Sequence, residues 1–211
     1  MNYPVVSGNV SFYNETNNKS IKPTPTIGGI GLIKDIDNMI SMDLKSENNI
    51  LIVLGKTLGH LNQSIFSKEM LGDEKGPPPE VNLFNEKNNG ETLLELIEKK
   101  LVLSIHDISL GGILTTLCEM CMAGNIGAKI NLPKTLVNLN EYFFGEDQSR
   151  YIIEIKNENI EKTIEILNKK SVFFEKIGIT QKENLSLKDE FDINIRELTT
   201  LNDNWFRKYA S

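Results

Sequence analysis

The stretch YIIEIKNENIEKTIEILNKKSVFFEKIGI, residues 151–179, reads as a strand, a helix and a second strand in turn. Tyr151–Ile155 is aromatic and β-branched and short enough for a buried strand. Ile160, Thr163, Ile164 and Leu167 then recur at helical spacing and predict a helix over 159–170, with a strand at 173–179 behind it. Working upstream, Leu114–Met122 is an apolar run with helical spacing, and Gly124 after it suits a C′ glycine. Val102–Ile105 reads as a buried strand, and Gly90–Lys100 as an amphipathic helix with Leu93, Leu94, Leu96 and Ile97 on one face. Before these come a strand at Asn49–Leu54, a short helix near Gln63–Lys68, and a loop from Gly72 to Glu80 whose run Pro77–Pro79 excludes helix and central strand. Downstream, 184–188 and 191–195 predict a hairpin, and 196–209 a terminal helical segment carrying Trp205. Strands alternating with helices define an α/β domain whose mixed sheet is covered by helices.

The first 33 residues follow a different pattern. Residues 3–13 read as a strand running into a loop, 14–22 as an exposed Asn-rich turn, and Ile27–Ile33 as a strand whose glycines allow close packing. Pro23 and Pro25 stiffen the connection between them. Composition supports a break near these prolines without requiring one.

At 211 residues the chain can bury one good core and a small appendage. A hydrophobic content of 39% with 25% charged residues is that of a globular protein, not a disordered one. Net charge near −6, without a lysine or arginine cluster, argues against a nucleic-acid footprint. The longest apolar run, Ile50–Leu54, is too short to span a bilayer, and the N-terminus lacks the basic and apolar regions of a signal peptide, so a cytoplasmic location is expected. Cys118 and Cys121 form C-x-x-C in the middle of an apolar helix, with no second pair of ligands nearby in sequence. Zinc needs four ligands, and a thioredoxin-type site opens a helix, so these cysteines read as small core-facing side chains.

SGNVSFYNE at 7–15 carries the first chemistry. Gly8 allows close backbone approach, and Asn9 and Ser11, two apart, share one face of an extended chain. A polar pair beside a glycine suits a phosphate or a metal-bound phosphate. It also suits a polar strand end and turn, which is the favoured reading of the spacing alone.

Taken as strings, SGNVSFYNE and KPTPTIGGIGLI at 22–33 resemble the formylglycinamidine ribonucleotide synthetases, specifically their long subunit, which belongs to the aminoimidazole ribonucleotide (AIR) synthetase-like superfamily. GPPPEVNL at 76–83, HDISLGG at 106–112 and FGEDQSR at 144–150 match further, in the family's order. The resemblance spans most of this chain but only the last part of that subunit. It implies that residues 1–26 are the terminal strand and exit of an ATP-binding domain, and 27–211 an AIR synthase C-terminal-like α/β domain. It also implies the chemistry: ATP phosphorylates the formyl-amide oxygen of formylglycinamide ribonucleotide, and ammonia displaces the phosphate to give the amidine. Stabilising the transferred phosphoryl is most of that work. By the same resemblance Gly8 contacts ATP, the Asn9 side-chain oxygen ligates Mg2+, and Ser11 donates to the substrate. A glutaminase subunit and a small accessory subunit are the implied partners, together with the earlier domains of the subunit itself. The acidic groups that should complete the metal shell are not in this chain.

Two further motifs remain. After a buried strand, Asp107 or Ser109 could cap a helix beginning near Gly112, whose free N–H groups make a natural anion site. His106 could then act as a base, or be hydrogen-bonded at a strand end, which is the favoured reading. The family's string is HDxSDGG; here Leu110 replaces the second Asp, which weakens a polar role for the turn. His60 stands where the family has a glycine-rich turn and reads as exposed. In the second motif, Gly145, Glu146 and Gln148, with Ser149, sit at the mouth of a strand, where they could hold a ribose or phosphate; a domain interface with Arg150 pairing across it is the alternative. As to function, the chain reads as the C-terminal part of an ATP-dependent C–N ligase, inactive alone, or as a non-catalytic docking module of the same complex. A related superfamily enzyme is a third reading. Exposed apolar surface where other domains dock predicts self-association.

Overall fold

The computed structural model describes residues 3–9, 14–21, 24–133 and 137–210. Contacts divide the chain into two units, 1–37 and 38–211.

In the first unit the regular structure is a small hairpin, β1 (Glu15–Thr16) and β2 (Lys19–Ser20), closed by Asn17 and Asn18, both at positive φ. Asparagine tolerates that conformation, which is why the Asn-rich stretch makes a tight turn. The strands expected at 3–13 and 27–33 are not observed: 3–9 and 24–33 hold no regular element, and residues 10–13 lie outside the described residues. Ile27, Ile30 and Leu32 are 85%, 95% and 91% exposed. A strand needs a neighbour to take its N–H and C=O groups, and the described part of this unit supplies none to these segments.

The second unit is built on a seven-stranded sheet. Its strands are β3 (Ile50–Leu54), β4 (Ser104–Asp107), β5 (Gly127–Ile130), β6 (Tyr151–Ile155), β7 (Phe174–Gln181), β8 (Asn184–Leu187) and β9 (Phe191–Asn194), in the order β4-β6-β3-β7-β5-β8-β9. All neighbours are antiparallel except β5 and β8, so the sheet is mixed, as expected. β3 lies inside it and is buried on both faces, which is why five consecutive apolar residues appear there without alternation. Leu51 and Val53 join a core with α2 (Gly112–Gly124) and α3 (Leu139–Phe144); Ile50, Ile52 and Leu54 join a second core with α1 (Leu83–Glu98) and α4 (Ile160–Lys169). α5 (Ile195–Ala210) buries Ile195 in the first core and leaves Leu201, Trp205, Phe206 and Tyr209 exposed.

Several boundaries differ from the sequence reading, each for a local reason. α1 begins at Leu83 because Asn82 caps it, its side chain accepting the Asn85 N–H; Leu94, expected on the buried face, is 61% exposed. β4 starts two residues late, with Leu101 and Val102 buried in the approach to it. α2 runs through Gly124 and ends on Asn125 in the left-handed conformation, while Gly124 lets the Leu44 backbone pack where a Cβ would stand. β5 and α3 were not expected: four residues give too short a period, and α3 announces itself only through its Asn138–Glu141 capping box.

Candidate functional site

Gly8 and Asn9 lie in the first unit on an exposed stretch, and a Cβ built on Gly8 would meet nothing within 4 Å. The open backbone is what close approach of a phosphate requires. Ser11 falls outside the described residues.

The 144–150 turn is organised from within. α3 ends at Gly145, whose backbone packs on that of Gly59, so closely that a Cβ on Gly145 would come 2.9 Å from the Gly59 Cα. Gly59 itself sits at φ +81, which only glycine adopts without strain. This contact brings the loop 56–62 against the turn. Asp147, 5% exposed, then accepts the N–H groups of Leu58 and Gly59 at 2.9 Å and of His60 at 3.2 Å. Glu146 accepts from Ile65 and from Gly111, both at 2.8 Å, and donates its own N–H to the His60 carbonyl.

Arg150 closes the turn. The alternative in which it pairs across a domain interface is not seen: it is 1% exposed within its own unit. It donates to the carbonyls of Asp147 and Gly145 and to the Thr57 hydroxyl, with the Asp147 carboxylate 3.8 Å away. Burial lowers its pKa from the ordinary guanidinium value, and Asp147 opposes that shift. β6 begins at the next residue and draws Arg150 into the core at the end of the sheet. Of the motif residues, Gln148 alone is exposed, and it makes no hydrogen bond among the described residues.

The helix N-terminus expected to bind an anion does so with the protein's own group. α2 is capped by Gly111 at φ +79, not by Asp107 or Ser109, and the carboxylate at its start is that of Glu146. Leu110 beside it is 66% exposed. His106 sits in β4 with Nδ1 3.3 Å from the Asp107 carboxylate and Nε2 3.0 Å from that of Glu119. Both ring nitrogens thus have carboxylate partners within the unit. His60 is half-buried, not exposed: its Nε2 lies 3.0 Å from the Pro77 carbonyl, which can only accept, so Nε2 carries the proton. With Gln63 donating to the Gly76 carbonyl, it ties the proline loop to the 56–62 loop. The result is a polar cleft of about 620 Å³ walled by Lys56, Asn62, Asn82, Asn85 and Gln148 among others.

Cys121 is buried and Cys118 half-buried on α2. Burial pushes the Cys118 thiol up to about 11, with Glu119 adding to the shift, and Cys121 higher still. Among the described residues no group of three or more His, Cys, Asp or Glu is placed to hold a metal ion, and no helix is long and apolar enough to cross a membrane. A residue the sequence reading missed is Glu154. Fully buried in β6, it accepts from Ser104, Asn49 and the backbone of Lys45 and Ser46, fixing the segment that leads into β3. Its only sequence signal is a lone charge inside an apolar strand.

A mixed sheet faced by helices on both sides, with this anchored turn at the mouth of β6, defines an α/β domain. The chain belongs to the family of AIR synthase related proteins, C-terminal domain, whose profile matches residues 46–190. Over 209 residues the chain is 53% identical to the phosphoribosylformylglycinamidine synthase subunit PurL of Pelagibacter ubique, covering 99% of this chain and 29% of that protein. It is 37% identical over 211 residues to the subunit of the same name from Nitrobacter hamburgensis, covering 28% of it. The chain therefore spans less than a third of the length of these relatives. Among solved structures, Thermotoga maritima PurL complexed with FGAR superposes with a TM-score of 0.64 at 20% identity, over 78% of this chain and 30% of that one. At that identity the likeness shows the fold.

Proposed function

We propose that the chain is the C-terminal part of a phosphoribosylformylglycinamidine synthase long subunit. That enzyme converts formylglycinamide ribonucleotide, ATP and glutamine-derived ammonia to the amidine, ADP and phosphate in purine biosynthesis. The observation that carries this reading is the identity of 53% with the Pelagibacter subunit, which extends over all but two residues and so includes the 7–15 segment almost entirely. In this reading residues 1–26 are the last strand and exit of an ATP-binding domain and 27–211 the second domain, whose compact body begins at Asn38.

Gly8 and Asn9 fit the roles assigned to them. The Gly8 backbone is open to a phosphate, and Asn9 offers a hard amide oxygen of the kind Mg2+ accepts. Mg2+ and ATP would supply an activated phosphoryl; Asn9 would hold the metal, Gly8 the nucleotide, and Ser11 would donate to the substrate. One ligand does not make a magnesium site, so the other groups must come from elsewhere in the enzyme. The chain alone is then inactive, and its exposed apolar residues at 24–33 favour self-association or docking to other domains. A solved structure of PurLQS from Thermotoga maritima shares the fold; in this reading the enzyme is cytoplasmic and works with glutaminase and accessory subunits.

The test is Asn9→Ala in the full-length enzyme. Loss of ATP-dependent amidine formation by at least a hundredfold with an unchanged melting temperature is expected, since electrostatic stabilisation of a transferring phosphoryl carries several kcal/mol. Near-normal turnover would instead leave the segment a docking element.

A further inference from the structure

We infer that the cleft between the 56–62 loop, the 79–85 segment and Gln148 binds the uncharged, hydroxyl-bearing part of a ligand, a ribosyl group, and not a phosphate. Asn89 is the positioning residue for its principal contact, Gln148. The inference rests on the reading of the 144–150 turn as ligand-facing.

The first argument is what the cleft no longer offers. Three successive N–H groups, at Leu58, Gly59 and His60, form the concave arrangement that can cradle a phosphate. Here they hold the Asp147 carboxylate at 2.9, 2.9 and 3.2 Å. The N–H of Gly111 at the head of α2 is held by Glu146. Glu80 and Glu141 also line the cleft, against Lys56 as the lysine or arginine on its wall. An arriving phosphate would meet net negative charge with its natural donors already used.

What remains is a set of neutral amides. Asn62, Asn85 and Gln148 make no side-chain hydrogen bond among the described residues, and Asn82 spends only its oxygen, in capping α1. Each amide offers an acceptor beside a pair of donors. A sugar hydroxyl donates once and accepts twice, and vicinal hydroxyls match such groups pairwise. A volume of about 620 Å³ falls in the range of small-ligand sites.

The second argument is rigidity. Gln148 stands between Asp147, buried as described, and Ser149, which holds φ +60, an uncommon conformation for serine. Asn89 on α1 is 5% exposed and donates through Nδ2 to the Ser149 carbonyl at 2.9 Å and hydroxyl at 3.0 Å. These bonds hold Ser149 in that conformation. With the backbone fixed on both sides by buried contacts, Gln148 has only its own side-chain rotamers to order on binding, and the main chain adds no further cost.

The experiment is a titration of the 15N-labelled chain with methyl β-D-ribofuranoside and, at matched ionic strength, with inorganic phosphate. The sugar should shift the side-chain amides of Gln148, Asn62 and Asn82, saturating on the order of tens of millimolar as befits so small a ligand, and phosphate should not. Gln148→Ala, an exposed change that leaves the fold intact, should abolish the response. Asn89→Ala and the near-isosteric Asn89→Asp should each weaken it roughly fivefold and raise the mobility of Gln148 and Ser149, while Asn62 and Asn82 keep their unliganded shifts. Phosphate shifting the cleft amides, or no response to the sugar, overturns the ligand class. Unchanged Gln148 mobility and sugar affinity in both Asn89 variants overturns the positioning role. Failure of the enzymatic reading shows separately, in the turnover of the Asn9 variant.

Discussion

The segment around Gly8 and Asn9 and the turn at 144–150 both carry family motifs, yet they stand in opposite physical states. The first is exposed over 3–9 and has no regular structure around it. The second is a buried network in which Asp147, Glu146 and Arg150 together satisfy backbone groups from three other segments. A motif can therefore present chemistry or hold loops together, and the string alone does not say which. In the turn, the charged residues do the holding and the neutral Gln148 is left facing outward.

Limited proteolysis should show the widest separation. Lys34 lies on exposed irregular chain, so trypsin should cut after it in the native state. The bond after Arg150 opens only with the sheet, and its cleavage should be slower by about three orders of magnitude or more. Comparable rates at the two sites, read by mass spectrometry, would erase the contrast. Asp147→Ala comes next. It strips the acceptor from three N–H groups and leaves the buried Arg150 with only the weaker influence of Glu146, so a loss of about 3–5 kcal/mol is expected in urea unfolding. Glu146→Ala removes one oxygen shared by two N–H groups and should cost about 1–3 kcal/mol, because water can reach the half-buried site.

Much of the second unit was legible beforehand because its signals are local. β3, β6 and α4 are short apolar runs or 3.6-residue periods, and each appears within a residue or two of its expected place. The order of strands was not legible, since pairing β5 with β8 in parallel depends on contacts distant in sequence. The strand expected at 27–33, and the described part (3–9) of that expected at 3–13, are absent for the same reason: apolar residues state a preference that only a partner strand can realise. At the turn, Glu146 and Gln148 looked equivalent as ligands. Their difference is set by where the Ile65 and Gly111 N–H groups lie, which no spacing within the motif encodes.

The smallest effect sharpens the comparison most. Asn9→Ala in this chain should change stability by no more than about 0.5 kcal/mol, the range of surface substitutions away from a packed core. Asn9 is exposed, and no element of regular structure contains it. Equilibrium unfolding of the two variants side by side would read this directly. A loss near that of Asp147→Ala would mean that the first segment is also a holding device, and its resemblance to an ATP-handling strand would then describe structure alone. A near-zero change, with the same substitution silencing the full-length enzyme, would separate presentation from holding at one residue. Asn9 would then owe its place to what it binds and Asp147 to what it supports.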